Sequence, residues 1–199
     1  MNNVGIFLFN NIELLDFAGP YEVFSVTSEL NNYQLFKVFT ISSDGIEIKS
    51  INGLRVVPDY NFNNHPPIDI LVIPGGVGTR AEIKKQDVLN WLAKTNESSK
   101  IMMSVCSGAR LLGVLGLLDY LEATTHHEVI DNLREIAPNT IINPNKRYTD
   151  NGKIMTAGGI SAGIDLSLHI VNKLHGEATV NKTKSYMEYG DWQSLVCPH

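Results

Sequence analysis

Lys100–Asp119 reads KIMMSVCSGARLLGVLGLLD. Residues 100–106 form an apolar run about as long as one buried strand, and residues 107–119 carry leucines at helical spacing. The period changes within SVCSGA (104–109), so a strand turns directly into a helix, and Cys106 stands on the turn. A strand that feeds a helix is the repeating unit of α/β architecture, so the flanking sequence decides whether the pattern is general.

The pattern recurs along the chain. VGIFLFN (4–10), YQLFKVFTIS (33–42) and IDILVIPGG (68–76) predict further strands, the last closed by a glycine pair. Between them, 16–32 predicts a helix beginning near Pro20, and IEIKSINGLRVVPD (46–59) predicts a hairpin turning at Asn52-Gly53. A helical stretch follows from about 79 to 97. Further on, HHEVIDNLREIA (126–137) predicts a helix and RYTDNGKIMTA (147–157) a hairpin around Asn151-Gly152. Two closing helices span 161–176, ended by Gly176, and 177–188. The expectation is one domain over 1–199, an α/β sandwich of three layers with a mostly parallel central sheet.

Composition narrows the function classes. Of the 199 residues 43% are hydrophobic and 19% charged, ordinary values for a globular protein with a sizeable core. The net charge of −5 and the lack of a basic run give nucleic-acid binding no electrostatic support. No segment approaches a membrane span, and the N-terminus lacks a basic region with a small-residue cleavage site, so no membrane partner or signal peptide is expected. Cys106 and Cys197 make no disulfide framework, which points to the reducing cytoplasm. The six histidines show no metal-ligand spacing, and neither a metal nor another cofactor is expected.

Cys106 admits two readings. On a strand-to-helix elbow, helix N–H groups and the positive dipole end favour thiolate and stabilise an anion developing on a substrate. The other reading is a small buried hydrophobe, a common fate of free cysteine. Pro74-Gly75-Gly76 ends a strand at the same sheet edge, where Gly75 or Gly76 could give an oxyanion N–H or simply form a tight turn. Asp16, in LLDFAGPYEVF, is either a helix cap or, if the fold brings it to Cys106, a general acid or base. His126 and His127 open a predicted helix, as partners of the cysteine or as surface groups, and His169 reads as a hydrogen-bonded core residue.

Taken together, LLDFAGPYEVF, DILVIPGGVG, SVCSGARLLGVLGLLD, ATTHH and GGISAGIDLSLHIV resemble the ThiJ/PfpI family, from Val4 to about Trp192. Its fold is flavodoxin-like, similar to class I glutamine amidotransferases. The chain looks most like the branch holding isonitrile hydratases and the sensor domains of AraC-type regulators, which typically reads SVCTGA and TTHW at the third and fourth blocks. The resemblance implies a nucleophilic Cys106 faced by Asp16, with Ser107 keeping the hydroxyl of a functional threonine. His127 replaces the usual aromatic and so changes the expected pocket wall. His126 matches a position near the cysteine in redox and deglycase-like members. Protease members carry a histidine where Ser107 stands, so their Cys-His dyad is absent.

The resemblance implies a small-molecule substrate and a homodimer. An isonitrile hydratase-like lyase is the leading expectation. A redox or ligand sensor, or an amidase- or glyoxalase-type hydrolytic activity at the same site, is the alternative. The chain ends soon after MEYGDWQS, so a DNA-binding helix-turn-helix is not expected.

Overall fold

A computed structural model describes residues 1–195. In chain order the strands are β1 (Asn2–Phe7), β2 (Phe36–Ser42), β3 (Ile48–Lys49), β4 (Arg55–Val56), β5 (Tyr60–Asn61), β6 (Ile70–Ile73), β7 (Ile101–Val105), β8 (Glu122–Ala123), β9 (Ile141–Ile142), β10 (Tyr148–Asp150) and β11 (Ile154–Ala157). The helices are α1 (Leu14–Glu29), α2 (Thr79–Glu82), α3 (Gln86–Ser98), α4 (Ala109–Val114), α5 (Ile130–Ile136), α6 (Ala162–His175) and α7 (Glu177–Tyr186).

Among the described residues, seven strands form one sheet in the order β10-β11-β7-β6-β1-β2-β5. Only the β10–β11 pair in it is antiparallel. Val4–Phe7, all of β6, all of β7 and all of β11 are buried at every position. A strand exposing one face to water would alternate, so this uninterrupted burial requires cover on both faces of the sheet. α1, α6 and α7 pack against one another as one helical group, and α4 packs on α5 in a second. α3 docks through Trp91, which stacks on Phe62 at 4.1 Å between ring centroids and tilts against Phe7 of β1 at 5.6 Å. The mostly parallel α/β sandwich is therefore as expected, and among the described residues no helix is long and apolar enough to cross a membrane.

Several boundaries differ from the sequence expectation. α1 begins at Leu14, not near Pro20, which lies inside the helix. Proline at a first helical position is common, so Pro20 reads as a start; here it only removes the N–H that would bond the Asp16 carbonyl. The stretch 79–97 is two helices, because Lys85 is extended (φ −92°, ψ 112°). The helix after Cys106 ends at Val114, with Gly116 left-handed at φ +68°. The helix expected from His126 is a 3-10 turn, His127–Val129, running into α5. Both expected hairpins form, β3 with β4 and β10 with β11. Cys197 lies outside the described residues.

Candidate active site

Three chain segments meet at the carboxyl end of the central strands: the β7–α4 turn, the β6–α2 loop and the first turn of α1. β7 ends extended at Val105 (φ −120°, ψ 139°), and the next residue, Cys106, has φ +55°. A left-handed conformation costs a side-chain-bearing residue about 1–3 kcal/mol, so the surroundings must hold it. They do so from both sides. The Cys106 N–H donates to the Gly158 carbonyl at 2.9 Å, and the Thr125 hydroxyl donates to the Cys106 carbonyl at 2.7 Å. The turn also packs tightly on β6, since a Cβ at Gly108 would lie 2.1 Å from the Ile73 carbonyl oxygen.

Asp16 reaches this turn through a reciprocal clamp. The Glu13 N–H donates to the Gly75 carbonyl at 3.0 Å, and the Gly75 N–H donates to Asp16 Oδ2 at 2.8 Å. The end of β6 is thus tied to the first turn of α1, and positions 16 and 106, ninety residues apart, become neighbours. Asp16 has no solvent exposure, and its Oδ1 takes no hydrogen bond of good geometry. Burial is the main reason its pKa rises from 3.8 to about 7, and the nearby Glu13 charge adds to the rise. The Gly75 N–H and the Cys106 thiol favour the carboxylate and limit the rise.

The thiol does not behave as the elbow geometry predicts. The helix start is expected to lower its pKa, yet burial first and the Asp16 charge second push it up to about 12. The backbone N–H groups of Ser107 and Ile160 lie near the sulfur and oppose this, but do not win. Cys106 is 7% exposed, and the helix following its short 3-10 turn has only six residues. The free N–H groups that remain near the sulfur are too few to offset its loss of water.

The glycine pair also departs from expectation. The Gly75 N–H is given to Asp16, and the Gly76 N–H is given to Ser107 Oγ at 2.9 Å. Neither is free for a substrate oxyanion; the N–H groups of Ser107 and Ile160 face the sulfur instead. Ser107 Oγ bonds the Gly76 carbonyl at 3.1 Å, where Thr79 Oγ1 also donates at 2.8 Å. Gly75 has its own steric requirement: a Cβ there would stand 2.6 Å from the Ser107 nitrogen and 2.8 Å from Asp16 Oδ2.

Cys106 opens on a cavity of about 250 Å³ whose wall includes Glu13, Gly76, Arg80, Ser107, Arg110, His126 and Ile160. His126 is half-buried there, and its Nδ1 accepts from the Glu128 N–H at 3.3 Å. His127 is not on the wall: its side chain is 78% exposed and faces Glu128 at 3.9 Å. The expected change of pocket wall at His127 is therefore not what the structure has. His169 is hydrogen-bonded as expected, to Asp150 at 2.8 Å, but sits partly exposed rather than in the core. Sequence reasoning did not single out Glu13, Arg80, Arg110, Thr125 or Ile160. Only Thr125 carried a signal, as part of the ATTHH block. A larger cavity of about 700 Å³ lies beside α6 and α7. Its lining shares no residue with the cavity at Cys106, and Asp165 on its wall is already paired with Arg147 and Tyr189, so the chemistry belongs to the smaller one.

A mostly parallel sheet flanked by helices, with a cysteine on a strained strand-to-helix turn beside a buried carboxyl, defines an α/β protein of the cysteine-elbow class. The chain belongs to the DJ-1/PfpI family, whose profile matches residues 2–173. It is 30% identical over 189 residues to the isonitrile hydratase of Pseudomonas putida, which covers 94% of this chain and 78% of that protein. It is 26% identical over 174 residues to the HTH-type transcriptional regulator GbdR of Pseudomonas aeruginosa, covering 87% of this chain. The chain spans about half the length of that regulator, 47%. A solved ThiJ/PfpI family protein from Pseudomonas syringae matches with a TM-score of 0.85 at 26% identity, over 94% of this chain and 75% of that one.

Proposed function

We propose that the chain hydrates a small isonitrile to an N-substituted formamide, with Cys106 as nucleophile and Asp16 as the group that moves the proton. The observation that carries this is the pairing of a buried thiol with a carboxyl poised near neutrality. Similarity to an isonitrile hydratase over 94% of the chain supports the choice of substrate class.

The steps follow from the two groups. At neutral pH the sulfur carries its proton and ionised Asp16 takes it as the sulfur attacks the terminal carbon of R–N≡C. Asp16 then gives that proton to the same carbon, leaving a thioimidate, Cys106–S–CH=N–R. Water adds across the C=N bond, and the resulting tetrahedral adduct expels the Cys106 sulfur. The sulfur recovers a proton and R–NH–CHO leaves. The Ser107 and Ile160 N–H groups stabilise negative charge on the sulfur as it attacks and as it departs.

A ligand-sensing role in the same cavity is the second reading, favoured by the likeness to regulators. Redox sensing is the weaker form of it, because oxidation proceeds through thiolate and this thiol is held protonated. The deciding experiment assays native protein and Cys106→Ala against an isonitrile, a 2-oxoaldehyde, an ester and an amide. Formamide production by the native protein alone is expected. Turnover of another substrate class instead would replace the hydratase reading, and ligand binding without turnover would favour the sensor.

A further inference from the structure

Arg110 is 5% exposed, and it lines the cavity that holds Cys106. Its two protein partners are neutral: Nε donates to Asn132 Oδ1 at 2.7 Å, and Nη1 donates to Thr79 Oγ1 at 3.0 Å. Among the described residues no carboxylate lies within ion-pair distance of it, and Nη2 donates no hydrogen bond to any of them. A buried guanidinium without a counter-ion is costly, which is why buried charges are normally paired. The same cavity wall holds a second cation, Arg80, exposed and likewise without an ion-pair partner among the described residues. Like charges placed together raise the cost further; Arg80 indeed depresses the Arg110 pKa, second only to burial.

The two carboxylates on this wall do not answer the charge. The Glu128 side chain is 78% exposed, in water and beside His127. Glu13 acts on Asp16 and Cys106, whereas the charge that acts on Arg110 at neutral pH is that of Arg80, the Cys106 thiol being protonated. Asp16 bonds Gly75 and faces the sulfur.

We infer that Arg110, assisted by Arg80, binds the carboxylate of a small substrate whose electrophilic carbon lies at Cys106. A guanidinium offers five donors in a planar fork matched to a carboxylate, and two are engaged by the protein. The cavity of about 250 Å³ is below the usual range for drug-sized ligands, so the anion and the reacting carbon belong to one short molecule. Where the reaction is isonitrile hydration, a reading on which this substrate name rests, the class is a short isocyano-carboxylate and the product an N-formyl amino acid.

Calorimetry with N-formylglycine and its methyl ester tests the inference without turnover. Native protein is expected to bind the carboxylate about tenfold to a hundredfold more tightly than the ester, the range of one charge-assisted hydrogen-bonded contact. Arg110→Gln abolishes that preference, Arg110→Lys keeps part of it, and Arg80→Gln weakens it. Equal binding of acid and ester by native protein overturns the inference, whether or not any variant folds. Melting with propionate against propionamide separates the two proposals. A carboxylate-specific rise in Tm that is lost in Arg110→Gln upholds the anion site even if no isonitrile is turned over. Isonitrile turnover with no preference for a carboxylate in either measurement upholds the reaction and removes the anion site.

Discussion

The Cys106 thiol supports the ionised form of Asp16, and ionised Asp16 in turn keeps the thiol protonated. The pair therefore holds two protons below about pH 7 and one above it, and its titration belongs to the pair rather than to either residue. Burial sets both directions, because each group loses water that its charged form needs.

The pH dependence of turnover follows from this shared proton. The reactive form has lost one proton from the pair, so kcat/KM on a neutral isonitrile rises with pH through about 7 and levels above it. Asp16→Asn loses the rising limb and falls by about 10²–10⁴-fold, the usual worth of general acid–base help. A flat profile in the native protein between pH 5 and 9 would remove Asp16 from the proton path.

The same carboxyl makes a prediction about stability. A buried acid with a raised pKa binds its proton more tightly folded than unfolded, so its contribution is fully present below 3.8 and is lost as pH rises through about 7. That shift corresponds to something on the order of 4 kcal/mol withheld from the folded state at pH 8. Asp16→Asn removes the ionisation and can still accept from the Gly75 N–H. Its Tm is expected to exceed the native value at pH 8, with the gain shrinking to nothing toward pH 4. Equal Tm differences at both pH values would show that Asp16 does not titrate as the burial requires.

Much of this was legible in the sequence. β1, β6 and β7 announce themselves as apolar runs, and the change of period at SVCSGA places Cys106 on its turn. The contacts that complete the site were not legible, because they join segments far apart in the chain. Nothing local says that the Gly75 N–H goes to Asp16, since a strand-ending glycine serves a turn, an oxyanion or a clamp equally well. Ile160 contributes an N–H from a backbone that is left-handed at φ +44°, a conformation no isoleucine advertises. Arg110 sits among leucines at helical spacing and reads as one polar position on a helix; only the fold buries it. The thiol pKa went the other way from the local expectation because a helix start is visible in a sequence and the depth of burial is not.

Gly75 offers a test of the clamp. A methyl group there meets backbone at Ser107 N, which cannot rotate away, so Gly75→Ala must displace the β6–α2 loop or the elbow. Overpacking of this kind costs about 1–3 kcal/mol, and the displacement also strips Asp16 of its N–H donor. A lower Tm and loss of turnover are expected together. A Gly75→Ala protein with native Tm and rate would show that the loop has slack and that the clamp does not set the geometry.

The strain at Cys106 can be read from two substitutions at that one position. Alanine keeps the penalty of φ +55°, because a Cβ still crowds the following carbonyl, whereas glycine adopts that region freely. In ordinary helix or strand positions glycine is the worse residue by about 0.5–1 kcal/mol, since it gives up more chain freedom on folding. Here the order is expected to reverse or at least close, with Cys106→Gly melting no lower than Cys106→Ala and up to about 1 kcal/mol more stable. Both variants lose the sulfur and both should be inactive, so the comparison isolates the backbone. The N–H bond to Gly158 and the bond from Thr125 to the carbonyl are main-chain contacts that survive in each. Chemical denaturation of the pair at one pH gives the difference directly. If Cys106→Gly were less stable than Cys106→Ala by the usual helix-interior amount, the elbow would carry no strain for the Gly158 and Thr125 hydrogen bonds to offset.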